Sequence, residues 1–212
     1  MASTLMELVF PDAQGLADLG TFVGRARAAD QDGAVRLQAD GTTLAAYVGV
    51  LPGSGLMGDG AVLGLRTMPL AEATTLDTTV ALAAVGDRVA RTSGVRLPVP
   101  AMTVAVPWSA VAPPRAGWER VGTVAVEDLV EAARQGIAEI AQGAPADAGA
   151  QAVTALRRQV WGRSTTTVPP VRTGGAFAAY VLGFVPEGTA ATVWAHGRWT
   201  RLSTPAGHVL MR

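Results

Sequence analysis

The sequence predicts an α+β fold, with antiparallel strands in one or two sheets and helices packed on one face. Three observations carry this. Two alternating runs meet at Asp40–Gly41, the strongest amphipathic helix lies mid-chain at Val126–Ile140, and strand-like runs sit at both ends. That order argues against a doubly wound parallel sheet, which needs strands and helices to alternate throughout.

The chain has 212 residues, of which 49% are apolar and 16% charged. This is a globular composition with ample length for a core. It holds 17 basic and 17 acidic side chains and no Cys. Lys and Asn are also missing, so every basic residue is Arg. Both have AT-rich codons, and the abundant Ala, Gly, Val and Arg have GC-rich ones. Without Cys there is no disulfide, thiol nucleophile or thiolate zinc site. Without Lys there is no P-loop lysine and no Schiff base. His196 and His208 are the only histidines, too few for a three-His zinc site. Zero net charge argues against a protein built mainly to bind nucleic acid.

Met6–Phe10 is a short β-prone run ended by Pro11. Asp12 then caps a helix to about Ala29, with Leu16, Leu19, Val23 and Ala26 as its buried stripe. Gly15, Gly20 and Gly24 weaken it intrinsically and would admit a close neighbour. Strands are expected at 34–39 and 42–51 around an Asp40–Gly41 turn. Two more follow at Ala61–Met68 and Thr75–Leu82, then a short helix over Ala83–Arg91. Residues 93–118 are rich in proline, flanked by Trp108 and Trp118, and read as an extended crossover with at most one edge strand near Met102–Val106.

The second half opens with a helix whose apolar face is Val126, Leu129, Val130, Ala133, Ile137 and Ile140. Helices at about Ala148–Gly162 and Gly174–Phe184 follow, and three strands (189–195, 198–203 and 209–212) end the chain. The order helix, hairpin, third strand occurs at both ends. One domain over 1–212 is expected, with pseudo-symmetric halves 1–92 and 119–212 as the finer reading, although no residue-level repeat accompanies them.

Gly53-Ser54-Gly55-Leu56-Met57-Gly58 matches a dinucleotide-binding string, but a strand rather than a helix follows, so a hairpin connection explains it better. Arg172, Thr173, Gly174 and Gly175 open an apolar helix. Free amides, a hydroxyl and a guanidinium there would suit a small anion, and a simple Thr173 cap is the plainer alternative. Trp194 and His196 share a strand face and could stack on a ligand or serve acid–base chemistry. Glu127, Asp128 and Glu131 form an acidic cluster that the helix dipole already explains.

No catalytic residue, metal site or cofactor is assigned. The preferred reading is a non-catalytic interaction or structural protein of the cytoplasm acting as a homodimer, with no nucleic acid and no membrane among its partners. Two alternatives stay open: a small-anion binder using Arg172–Gly175, and an enzyme with a His/carboxylate site.

Overall fold

The computed structural model describes residues 6–53, 58–92, 94–110, 112–144 and 149–212. The Gly53–Gly58 string lies largely outside them. Two compact units divide the chain, one of residues 1–50 and 65–111, the other of residues 51–64 and 112–212.

The first unit is built from β1 (Glu7–Val9), α1 (Ala13–Ala29), β2 (Ala34–Asp40), β3 (Thr43–Leu51), β4 (Val62–Pro69), β5 (Leu76–Ala81), α2 (Leu82–Arg91) and β6 (Arg96–Pro98). The end of β3 and the start of β4 fall in the second unit. Its main strands run in the order β5-β2-β3-β4. Alternation sets the faces: Val35, Leu37 and Ala39 are buried opposite Val48, Ala46 and Leu44, while Arg36 and Gln38 point away from the core. Burying each such Val or Leu contributes about 1.5–3 kcal/mol.

Asp12 caps α1 by accepting the Gly15 N–H at 2.8 Å, and Phe22 joins the predicted stripe in the core. Gly20 is where α2 comes close, since a Cβ there would sit 2.8 Å from a Val89 methyl. The hairpin turn lies one residue later than expected. Asp40 pairs with Thr43, leaving Gly41 and Thr42 at the tip, and only Gly41 has a positive φ. Glycine at the first central position meets that demand without Asp40 leaving the strand.

Residues Met102–Val106 do not form a strand. The edge strand of the crossover is β6, drawn there because β1 needs an antiparallel partner (Leu8 opposite Leu97). Further along, Trp108 lies on the bare Cα of Gly49, in a 3₁₀ turn at Pro107–Ala110. Arg36 ties this segment down. Its Nε and Nη2 donate to the Asp77 carboxylate at 2.8 and 2.7 Å, and its Nη1 donates to the Ser109 carbonyl at 2.8 Å. Because lysine cannot reproduce a planar fork, Arg36→Lys is expected to cost about 1 kcal/mol, read as a lowered midpoint in urea unfolding.

The second unit contains β7 (Glu119–Ala125), α3 (Val126–Gly143), α4 (Ala150–Gly162), α5 (Thr173–Val181), β8 (Ala190–His196), β9 (Trp199–Thr204) and β10 (Gly207–Met211), with strand order β10-β9-β8-β7. Sequence reading missed β7. It is an exposed edge strand with a bulge between Arg120 and Gly122, so its hydrophobic alternation is broken. The helices pack on the face that carries Val193, Leu202, Val209 and Met211, and Gly175 of α5 lies directly against Met211.

The buried stripe of α3 is Val126, Leu129, Ala133 and Gly136, and Ile137 is exposed. Trp161 is the cause. Its six-membered ring lies on Gly136, which pulls that position inward and turns Ile137 out. The segment before β4 also belongs here: Gly60 donates to the Arg212 carbonyl and Arg212 to the Ala61 carbonyl, both at 3.0 Å. No helix among the described residues is long and apolar enough to cross a membrane.

Candidate functional site

The predicted site residues fall in two places, both in the second unit. Arg172–Gly175 start α5, where the chain takes up its own donors. The Thr173 amide and hydroxyl donate to the Arg163 carbonyl at 2.8 and 3.1 Å, and the Gly175 and Ala176 amides donate to the Arg172 carbonyl. Gly174 is buried, and a Cβ there would sit 2.7 Å from Leu51 and 3.0 Å from the Trp161 carbonyl. Arg163, which could have added positive charge, turns instead to Glu139 at 2.7 Å.

A cleft of about 390 Å³ adjoins Thr173, lined by Asp128, Glu131, Glu139, Arg163 and Thr165 to Thr167. Its carboxylates outnumber its one guanidinium, which is the wrong sign for an anion. Glu127 is not among its lining residues. It accepts the Gly188 amide at 3.0 Å, and hydrogen bonds from its own amide and from Gly188 hold its carboxyl below the ordinary value. Among the described residues no group of three or more His, Asp or Glu is placed to hold a metal ion.

Trp194 and His196 do share a face, on the side of the sheet away from the helices. Strand register fixes their neighbours: Trp194 is opposite Arg201, Arg201 opposite Leu210, His196 opposite Trp199 and Thr192 opposite Ser203. Across β7, Arg120 is opposite Trp194. The Arg201 guanidinium carbon lies 4.7 Å from the Trp118 ring centroid and 5.0 Å from that of Trp194. His196 is 5.9 Å from the Trp118 ring, and its Nδ1 is 2.7 Å from the Gly117 carbonyl oxygen. His208 is hydrogen-bonded through Nδ1 to the Ser203 hydroxyl at 2.9 Å.

This arrangement has a cost. The Arg201 Nε and the Trp194 Nε1 are buried without a hydrogen-bond partner. Each such donor costs about 1–3 kcal/mol against its hydrated state. Burial also pulls the Arg201 pKa below its ordinary value. Two indole faces recover part of this through cation–π attraction, about 0.5–2 kcal/mol at such a half-buried place.

Sequence reading named Trp194 and His196 but missed Trp118 and Arg201. A signal existed for Arg201. Counting back from the Gly197 turn puts it opposite Trp194. None existed for Trp118, which reaches the face from the crossover.

No curated protein matches the sequence. Solved structures share its fold at low identity. A protein from Eubacterium rectale, assigned as a DNA polymerase III β subunit, is 10% identical with a TM-score of 0.60, covering 98% of this chain and 64% of that one. The Caulobacter crescentus pol III β is 11% identical with a TM-score of 0.54, covering 98% and 65%. The DNA polymerase sliding clamp of Pseudomonas aeruginosa is 12% identical with a TM-score of 0.51, covering 98% and 63%. The chain therefore spans less than two thirds of the length of each of these proteins, and at these identities the likeness establishes the fold.

That fold corrects the expectation of no nucleic acid, because DNA polymerase sliding clamps are built on it. Zero net charge does not by itself exclude such a partner, because it sums over faces. Arg120 and Arg201 sit together on one face, while Asp128, Glu131 and Glu139 gather at a cleft beside α3. At the level of sequence families, the model described as Domain of unknown function (DUF8185) matches residues 113–212. The one described as Domain of unknown function (DUF8010) matches residues 3–110, more than half of the 212, so the chain belongs to that family.

Proposed function

We propose that this chain is a non-catalytic interaction protein of the cytoplasm that works as a homodimer, on a scaffold of the kind DNA polymerase sliding clamps use. The observation that carries the reading is the outer edge of β7. Val121 is 52% exposed at the bulge of that strand, and Val168 is 89% exposed beside Pro169, which lies against Gly122. An unpaired strand edge flanked by two exposed valines is a template for a second chain. The fold supports an interaction role, since DNA polymerase sliding clamps share it.

Sedimentation of the full chain over a range of concentrations tests this. A dimer is expected at tens of micromolar. Val121→Asp combined with Val168→Asp should give monomers while shifting stability by no more than about 0.5 kcal/mol, as for other surface changes. A wild-type monomer throughout that range would overturn the homodimer.

A further inference from the structure

We infer that the sheet face of the second unit opposite its helices, where Trp118, Trp194 and Arg201 are half-buried and Arg120 is exposed, binds single-stranded nucleic acid, with Arg120 and Arg201 taking backbone phosphates and Trp118 and Trp194 offering stacking surfaces for bases. The face is contained in one copy of the chain, so this inference does not depend on the homodimer.

Charge sorting is the first support. The outward positions of β8, β9 and β10 are Thr192, Trp194 and His196, then Trp199, Arg201 and Ser203, then His208 and Leu210, and none is a carboxylate. Arg120 adds a cation at the β7 side, and the Arg212 guanidinium lies 5.7 Å from the Trp199 ring at the β10 side. Asp59 is paired with Arg198 of the hairpin turn at 3.1 Å, and Glu119, next to Arg120 in β7, is opposite Ala195 and so lies at a position of the other parity. Among the described residues no ion pair neutralises Arg120, Arg201 or Arg212.

The second support is the clustering of arginines and indoles. Arg201 is held over two indoles and Arg212 lies beside a third, so three guanidinium–indole contacts cluster on one face. A face of interleaved indoles and uncompensated guanidiniums suits a flexible strand, whose unpaired bases can lie on aromatic rings while phosphates meet arginines. A duplex offers phosphates but keeps its bases stacked on one another, so it would leave the tryptophans unused.

Fluorescence anisotropy of the full chain with a labelled single strand of about 16 nucleotides tests the inference, with DNA and RNA arms and the matching duplex as a third. Single strands should bind more tightly than duplex and should quench tryptophan emission. Alanine at Trp118 or Trp194 should weaken binding by about 5- to 150-fold. Arg201→Gln should make the salt slope shallower by about 0.7 on the log–log scale. Arg120→Gln, at an exposed position, should do the same without altering the melting temperature, which keeps the test valid if Arg201→Gln fails to fold.

Binding by the DNA arm, the RNA arm or both supports the inference. It is overturned if no single strand binds at about 100 μM in low salt. Duplex binding that neither tryptophan variant weakens would overturn it as well, as would equal competition by a poly-glutamate peptide. The Val121→Asp, Val168→Asp chain should retain oligonucleotide binding, so failure of the dimer and failure of this site are read separately.

Discussion

Replacing Trp161 by alanine is expected to lower stability by about 3–5 kcal/mol, the largest effect of any single change considered. The side chain is 6% exposed, and its six-membered ring fills the space above Gly136 of α3. It also stacks on Phe177 of α5, with ring centroids 4.3 Å apart and planes 20° from parallel. Removing the indole therefore unpacks α4 from two helices at once. Leucine would refill only part of the volume, so Trp161→Leu should fall between wild type and alanine. Urea unfolding followed by circular dichroism measures the series. A loss under about 1 kcal/mol for Trp161→Ala would mean that the helices close over the gap, contrary to the packing described.

Gly175→Val is expected to cost about 1–3 kcal/mol by overpacking. Helix propensity predicts the opposite sign, because valine is a better helix former than glycine by a few tenths of a kcal/mol. Sterics win, because a Cβ at Gly175 would run into the Sδ, Cε and Cγ of Met211 at once. Met211 is only 2% exposed and has little room to swing away. The mechanism makes a second statement that can be checked. In a chain carrying Met211→Ala, the same valine should cost less, and a double-mutant cycle should return a coupling of about 1 kcal/mol or more. Additive effects would place the clash elsewhere.

The elements that sequence made legible are those whose signal is local. Asp12 ahead of the Leu16–Leu19–Val23–Ala26 spacing, and the alternation on either side of Gly41, are patterns that one turn or one strand completes by itself. What stayed hidden depended on distant partners. Glu119–Ala125 does not alternate because it is an edge with a bulge. Ile137 belongs to the apolar face of α3 by periodicity, yet Gly136 takes the buried place because of a tryptophan 25 residues later. The same limit governs the candidate sites. At Arg172–Gly175 the motif was visible, but the carbonyl of Arg163, which takes the Thr173 donors, was not. On the sheet face opposite the helices, Trp194 and His196 could be read from strand parity, whereas Trp118 joins them from a stretch whose prolines hide any period.

The pairing of Gly60 and Ala61 with Arg212 has a consequence for how this chain can be taken apart. The end of β3, the start of β4 and the described residues that join them belong to the second unit, although the rest of both strands belongs to the first. A fragment cut at the crossover would carry that stretch away from its partners, leaving Arg212 with neither of its main-chain bonds to Gly60 and Ala61 and Gly174 without its Leu51 neighbour. Neither half is therefore portable as a contiguous piece. Any transplant, swap or permutation of the second unit must bring residues 51–64 with it.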